Sequence, residues 1–403
     1  MIMPLSLILL LALATLAVVI EPYIRRQPLP FTAILVLVGF LGSEALVWAG
    51  FDTGLRWYGF KDLVLHILLP ILVFESAFHI PIKTLQRNFI AIFILAVPAV
   101  IISAFISAFI LFYLIDHPDA FPFLTALLAG IILTATDPVA VVAMFKSAGA
   151  SQRLTVLVEG ESLFNDATAV VFYTLLILAL TSSDSSMQGP AQAVPLFFSN
   201  LGSGIISGAL FGYAGGYLYR KTDSAIGRAV ISLFCACSSF YLAEPILQGS
   251  GIVAVLITGL YLGHIHREYR CQSFTSQLWQ LNGYIANVIV FLLMGVTITL
   301  DMFAEQWLAM LCGIGAATFA RALVIYTLCP ITGLIPGQDK IPLSYQHVMM
   351  WGGLRGGVGI ALVLALPTLV PSWYTVQAIV YGIVLFTLFI QAPLMPALIR
   401  KTL

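Results

Sequence analysis

Stretches of about 20 apolar residues recur from one end of this 403-residue chain to the other, and no other feature constrains its fold as much. A helix of about that length crosses the roughly 30 Å of hydrocarbon in a bilayer. Inside lipid every backbone N–H and C=O must be satisfied within the protein, which leaves only helices and closed barrels. A barrel needs short segments of alternating polarity, whereas these runs are continuously apolar. Composition agrees: 60% of residues are hydrophobic and 9% charged, against about a quarter charged in soluble domains. The sequence predicts an all-α polytopic membrane protein.

The runs predict about 13 transmembrane helices, at 4–20, 29–47, 62–80, 89–115, 122–145, 155–181, 195–219, 226–244, 249–263, 276–300, 307–329, 347–370 and 374–399. The first is not a signal peptide in form, because it has no basic residues before it and Arg25 and Arg26 follow it. It reads as a retained helix with its N-terminus outside. With that orientation, 14 of the 18 lysines and arginines fall on the inside, two (Arg56 and Lys61) outside, and two (Arg321 and Arg355) within spans. Such asymmetry is the positive-inside bias of a multi-pass protein, and it puts the C-terminus in the cytoplasm. The expected location is the cell (inner) membrane, with the lipid bilayer as partner and no nucleic acid or soluble partner. The five cysteines show no CxxC spacing and read as small core residues. The loops between the runs are short and the last run lies four residues from the end of this sequence, so no soluble domain is expected within it.

An odd number of spans, with a polar linker at 182–194, suggests two six-helix halves around a seventh helix, the second half inverted relative to the first. Two interruptions fall at matching places. The fifth span contains Thr136-Asp137-Pro138, and the twelfth contains Gly352-Gly353-Leu354-Arg355-Gly356-Gly357. Proline removes a backbone donor and glycine weakens a helix by about 1 kcal/mol relative to alanine. Both breaks therefore expose half-helix ends, which are tolerated at membrane depth only where they are buried in protein or line a cavity.

Charges in these runs are expensive and usually functional. Asp166 lies about three turns into the sixth span beside Asn165, with Ser162 one turn earlier on the same face. Removal from water favours the protonated carboxyl, so a buried carboxylate can hold a proton or a small cation in turn. The alternative is an Asp that serves helix packing. Asn165 can donate to that carboxylate or offer its oxygen to a cation. Asp137, with Thr136, either contacts a cation or caps a half-helix N-terminus. Glu161 and Arg355 are expected to form a buried ion pair, and Arg321 has no evident partner. Glu75 is either a secondary site residue or one half of a pair near the inner face. Glu159 is expected near the surface, as are His264 and His266, for which no zinc-site partners are evident.

TDPVAVVAMFK at 136–146, EGESLFNDATAVV at 159–171 and GGLRGGVGIAL at 352–362, taken together, resemble the cation:proton antiporter 1 family of NhaP-type sodium/proton antiporters and animal exchangers. The FE of LPILVFESAF at 69–78 and Arg321 in FARALVIY extend the likeness over essentially the whole chain. The resemblance implies an NhaA-like fold of two inverted repeats with broken crossing helices. It also implies a homodimer in which a core moves against a dimerisation domain in an elevator-type cycle. Residues 1–87 and 182–306 would form the dimerisation part, and 88–181 with 307–403 the ion-transporting core. Asp166 would carry ion and proton alternately. Thr136, Ser162 and Glu75 would help coordinate the cation, Asn165 and Asp137 would stabilise the site, and Glu161 would pair with Arg355. Asn165 in place of a second acid implies electroneutral exchange of one sodium, or lithium or potassium, for one proton, with no cofactor. Many members carry a cytoplasmic regulatory tail, which this sequence does not include.

Two other classes compete. An intramembrane aspartyl protease could use Asp137 and Asp166 as a dyad, but the chain lacks the GxGD motif of those enzymes. A cation channel could use the same carboxylates and would show single-channel currents.

Overall fold

The computed structural model describes residues 29–50, 60–115, 121–148, 150–181, 190–268, 274–336 and 338–402, with scattered positions between 12 and 19. Most of the predicted first span, together with Arg25, Arg26, Arg56, Arg270 and Cys271, lies outside the described residues. The described residues form helices α1 (Phe31–Trp48), α2 (Lys61–His79), α3 (Phe89–Leu114), α4 (Phe123–Ile132), α5 (Val139–Ala148), α6 (Gln152–Thr181) and α7 (Pro190–Lys221). The order continues with α8 (Ala225–Ile246), α9 (Gly251–Glu268), α10 (Phe274–Thr297), α11 (Leu300–Thr332), α12 (Leu343–Trp351), α13 (Gly357–Leu364) and α14 (Trp373–Thr402).

Nine helices among the described residues are long and apolar enough to cross a membrane. Two predicted spans instead appear as pairs of short helices, α4 with α5 and α12 with α13. The run at 249–263 extends as α9 into a polar last turn with His264, His266, Arg267 and Glu268. His266 is buried, contrary to its expected place on the surface, with Tyr219 Oη 2.6 Å from its Nδ1.

The helices pack in two groups. α7 lies on α8 and α9, α9 on α2, and α10 on α1; separately, α3 lies on α4 and α11, and α11 on α14. α6 touches both groups and is largely buried between Leu154 and Tyr173, with Thr155, Glu159, Phe164 and Phe172 half-buried. A helix buried over most of its surface has no amphipathic stripe, so Glu161, Ser162, Asn165 and Asp166 all face protein.

The breaks follow from local chemistry. Pro138 supplies no N–H and disfavours helical geometry at Asp137, so α4 stops at Ile132 and α5 resumes at Val139. In the second break the glycines of 352–357 separate α12 from α13. The two unwound segments cross and bond directly, Asp137 N–H donating to Leu354 O at 2.7 Å. This approach requires a glycine at 356, because a Cβ there would run into the Asp137 side chain. Gly356→Ala should therefore cost about 1–3 kcal/mol, the usual penalty for overpacking. Gly315→Ala, at a position with open space around it, serves as control. Thermal unfolding in detergent checks this: equal melting temperatures for the two variants would mean that the crossing tolerates a side chain at 356.

Candidate ion-binding site

Asp166 lies where α6 passes the first break, 9% exposed, and its Oδ1 is buried without a hydrogen-bond partner. It faces a cavity of about 30 Å3 that is also lined by Glu75 and Ser76 of α2, Thr136 and Asp137 of the break, and Asn287 of α10. Room for one water needs about 10–15 Å3, so the space suits a small ion or a water or two. Four of the residues singled out in the sequence thus meet around one space: Asp166, Asp137, Thr136 and Glu75.

Each has its own support. Asp137 Oδ1 accepts from Val139 N–H at 2.9 Å, which makes the carboxylate the cap of α5, at the positive end of that half-helix. Glu75 Oε1 lies 3.2 Å from His79 Nδ1, one turn along α2. The imidazole is anchored in turn, with Nδ1 2.8 Å from Glu75 O and Nε2 3.0 Å from Ser276 Oγ of α10. Either reading of Glu75 from sequence, site residue or half of a pair, matches part of this arrangement.

Ser162 and Asn165 are not among the residues lining this cavity. The Ser162 hydroxyl donates to Thr136 O, leaving its lone pairs free. Asn165 Nδ2 donates to Thr134 O at 2.6 Å and reaches Thr136 Oγ1 at 3.5 Å. Together they fasten the unwound segment to α6 and so hold Thr136 and Asp137 beside Asp166.

The expected Glu161–Arg355 ion pair is not present. Glu161 is instead paired with Arg321 of α11, both carboxylate oxygens accepting from the guanidinium at 3.0 Å. Arg321 also donates to Met349 O, at 3.2 Å from Nε and 2.9 Å from Nη2. Arg355 Nη1 goes to Thr134 O at 3.0 Å and Ala135 O at 3.4 Å. The reason is electrostatic. Each half-helix ends in unsatisfied carbonyls with partial negative charge, and each arginine covers one such end, Arg355 after α4 and Arg321 in the last turn of α12. Gly353 leaves space for Arg321, since a Cβ there would overlap the guanidinium.

Sequence reading missed Asn287, Ser76, His79 and the role of Arg321. Asn287 and His79 had a signal, as polar residues in or at the end of an apolar run; Ser76 had none. Arg321 was noticed as a buried charge, but its partner is 160 positions away.

The profile of the family described as "Sodium/hydrogen exchanger, transmembrane" matches residues 8–401. The Na(+)/H(+) antiporter ApNhaP of Aphanothece halophytica is 36% identical over 381 residues, covering 93% of this chain and 70% of the relative. The low-affinity Na(+)/H(+) antiporter NhaS1 of Synechocystis is 33% identical, covering 94% and 70%. The sodium/proton antiporter MjNhaP1 from Methanocaldococcus jannaschii shares the fold, with a TM-score of 0.80 at 20% identity over 100% of this chain and 99% of that one. The family is one of transporters, which removes the protease reading of Asp137 and Asp166. A multi-pass helical chain with two crossing broken helices and a buried carboxylate beside them, matched over nearly its whole length, belongs to the sodium/hydrogen exchanger family.

Proposed function

We propose that the protein is a secondary antiporter exchanging sodium for protons, with Asp166 as the carrier both ions share. The observation that carries this reading is the partnerless, buried Oδ1 of Asp166 on a cavity lined by other oxygen-bearing side chains. Hard cations take oxygen ligands, and a carboxylate with one oxygen free of any fixed partner can be neutralised by a cation or by a proton. Thr136, Glu75 and Asp137 supply further oxygens around it, and Ser162, off the cavity, holds Thr136 in place. Sodium is chosen because the relatives' names specify it.

The same reading takes the two packed groups as the parts of an elevator-type cycle. Residues 88–181 and 307–403 form the moving core, and 1–87 with 182–306 the dimerisation domain of a homodimer. α6, which touches both groups, carries the site at their junction. The protein would sit in the cell membrane with its N-terminus outside and its C-terminus in the cytoplasm, an orientation supported by the distribution of basic residues.

Exchange is one-for-one in this scheme, because the other two carboxylates on the cavity each have a fixed partner. Asp137 caps α5 and Glu75 is held by His79. In proteoliposomes, proton movement should follow addition of sodium, with lithium and potassium tested in turn. Moving one uncompensated charge through 100 mV involves about 2.3 kcal/mol, so an electrogenic cycle would respond strongly to an imposed potential. The expected rate is the same at zero and 100 mV. A potential-dependent rate would make Asp137 a second carrier, and no proton movement with any cation would reject antiport itself.

A further inference from the structure

Asp166 and Asn165 are adjacent, yet they face different spaces. Behind the ion cavity lies a second one of about 20 Å3, walled by Asn165, Glu161, Arg321, Arg355, Thr134 and Ser107. Two residues of this wall each carry a buried polar atom that lacks a partner, Asn165 Oδ1 and Arg355 Nε. Both residues are almost wholly buried, at 2% and 6% exposure. The identity of the free Asn165 atom is fixed by its neighbour: Thr134 O can only accept, so the nitrogen faces it and the oxygen is left over.

One orphan is an acceptor and the other a donor. Leaving either unsatisfied in the interior costs about 1–3 kcal/mol. An anion would satisfy Arg355 Nε–H but would face Glu161 and the Asn165 oxygen. A cation would satisfy Asn165 but would face two guanidinium groups. Only a small neutral species that both donates and accepts fits the pair, and 20 Å3 exceeds the roughly 10–15 Å3 that one water occupies.

We propose that this second cavity is a water-binding site, in which one ordered water accepts from Arg355 Nε–H and donates to Asn165 Oδ1. The Ser107 hydroxyl on the same wall is available for a third bond. The water completes a chain from the second break, through Arg355 and Asn165, to Thr134 and Thr136 of the first. It thereby holds the oxygen-bearing segment of the ion cavity from behind. It also gives Arg355 Nε a partner other than Asp166, which leaves the carrier carboxylate free. That last consequence rests on the antiport reading, whereas the hydration of the cavity does not.

X-ray radiolytic footprinting of the full-length protein tests the site, because buried side chains are oxidised rapidly only where a bound water supplies the radical. Leu133 and Val324 line the cavity and are 2% and 3% exposed. They should be labelled well above Leu292, which is 0% exposed and lines neither cavity. Ser107→Val, which removes a partner and fills volume, should lower labelling at Leu133 and leave Leu292 unchanged. A cryo-EM map that shows ordered water should place density within about 2.7–3.2 Å of both Arg355 Nε and Asn165 Oδ1. Leu133 labelled no faster than Leu292, or a map empty between those two atoms, overturns the proposal. Neither measurement requires transport, so a dry cavity and a failure of exchange are separate outcomes.

Discussion

Asp166→Asn is expected to bring sodium-driven proton movement down to the rate of empty liposomes while leaving the protein folded. The amide is nearly isosteric with the carboxylate, so the cavity keeps its shape. Because Asp166 Oδ1 has no hydrogen-bond partner, the substitution breaks no bond at that atom. It removes a buried charge, which is costly to hold in the membrane, so the melting temperature should stay level or rise. What disappears is the alternation: an amide neither takes up a proton as a carboxylate does nor neutralises a cation. The measurement pairs a pH-sensitive dye in proteoliposomes with thermal unfolding of the same preparation. Transport near the unsubstituted rate would remove Asp166 from the mechanism and direct attention to Asp137 or Glu75. A variant that lost both transport and fold would show that the Asp166 carboxylate also holds the broken helix in place, through the Thr136 backbone.

Much of this arrangement was legible before the structure, and for identifiable reasons. Pro138 and the glycines of 352–357 mark helix breaks through backbone chemistry alone, which does not depend on what packs nearby. Asp166 stands out because a carboxylate in an apolar run carries a cost that requires explanation. The identity of the arginine facing Glu161 was not legible. Reading by charge alone favoured Arg355, since it sits in a glycine-rich break that another helix can approach. That reading counted side chains and omitted the carbonyl ends which the breaks themselves create. Thr134 O and Ala135 O hold Arg355, and Met349 O together with Glu161 holds Arg321. The asymmetry between Asn165 and Asp166 was hidden for a similar reason, because which cavity each faces depends on the packing around α6. The two broken spans also read as continuous apolar runs, so hydropathy counted each of them as one span.

The corrected pairing makes a quantitative demand on stability. Arg321→Met should lower it by about 3–5 kcal/mol, the usual loss when one partner of a buried ion pair is removed. It strands the Glu161 carboxylate, whose side chain is 3% exposed, and uncovers Met349 O. Glu161→Gln should cost less, since an amide oxygen still accepts from Arg321 and Met349 O continues to hold the guanidinium. In the double variant no buried charge is stranded, so its loss should fall short of the sum of the singles, with a coupling of about 1–3 kcal/mol. Because the pair is buried, the coupling should persist in high salt, unlike that of an exposed pair. The same cycle run with Glu161→Gln and Arg355→Met is the discriminating control. Arg355 is engaged with backbone carbonyls rather than with Glu161, so its coupling should be the smaller of the two. Additive losses for Glu161 with Arg321, or stronger coupling to Arg355, would return Glu161 to the partner first expected and undo the assignment of one arginine to each half-helix end.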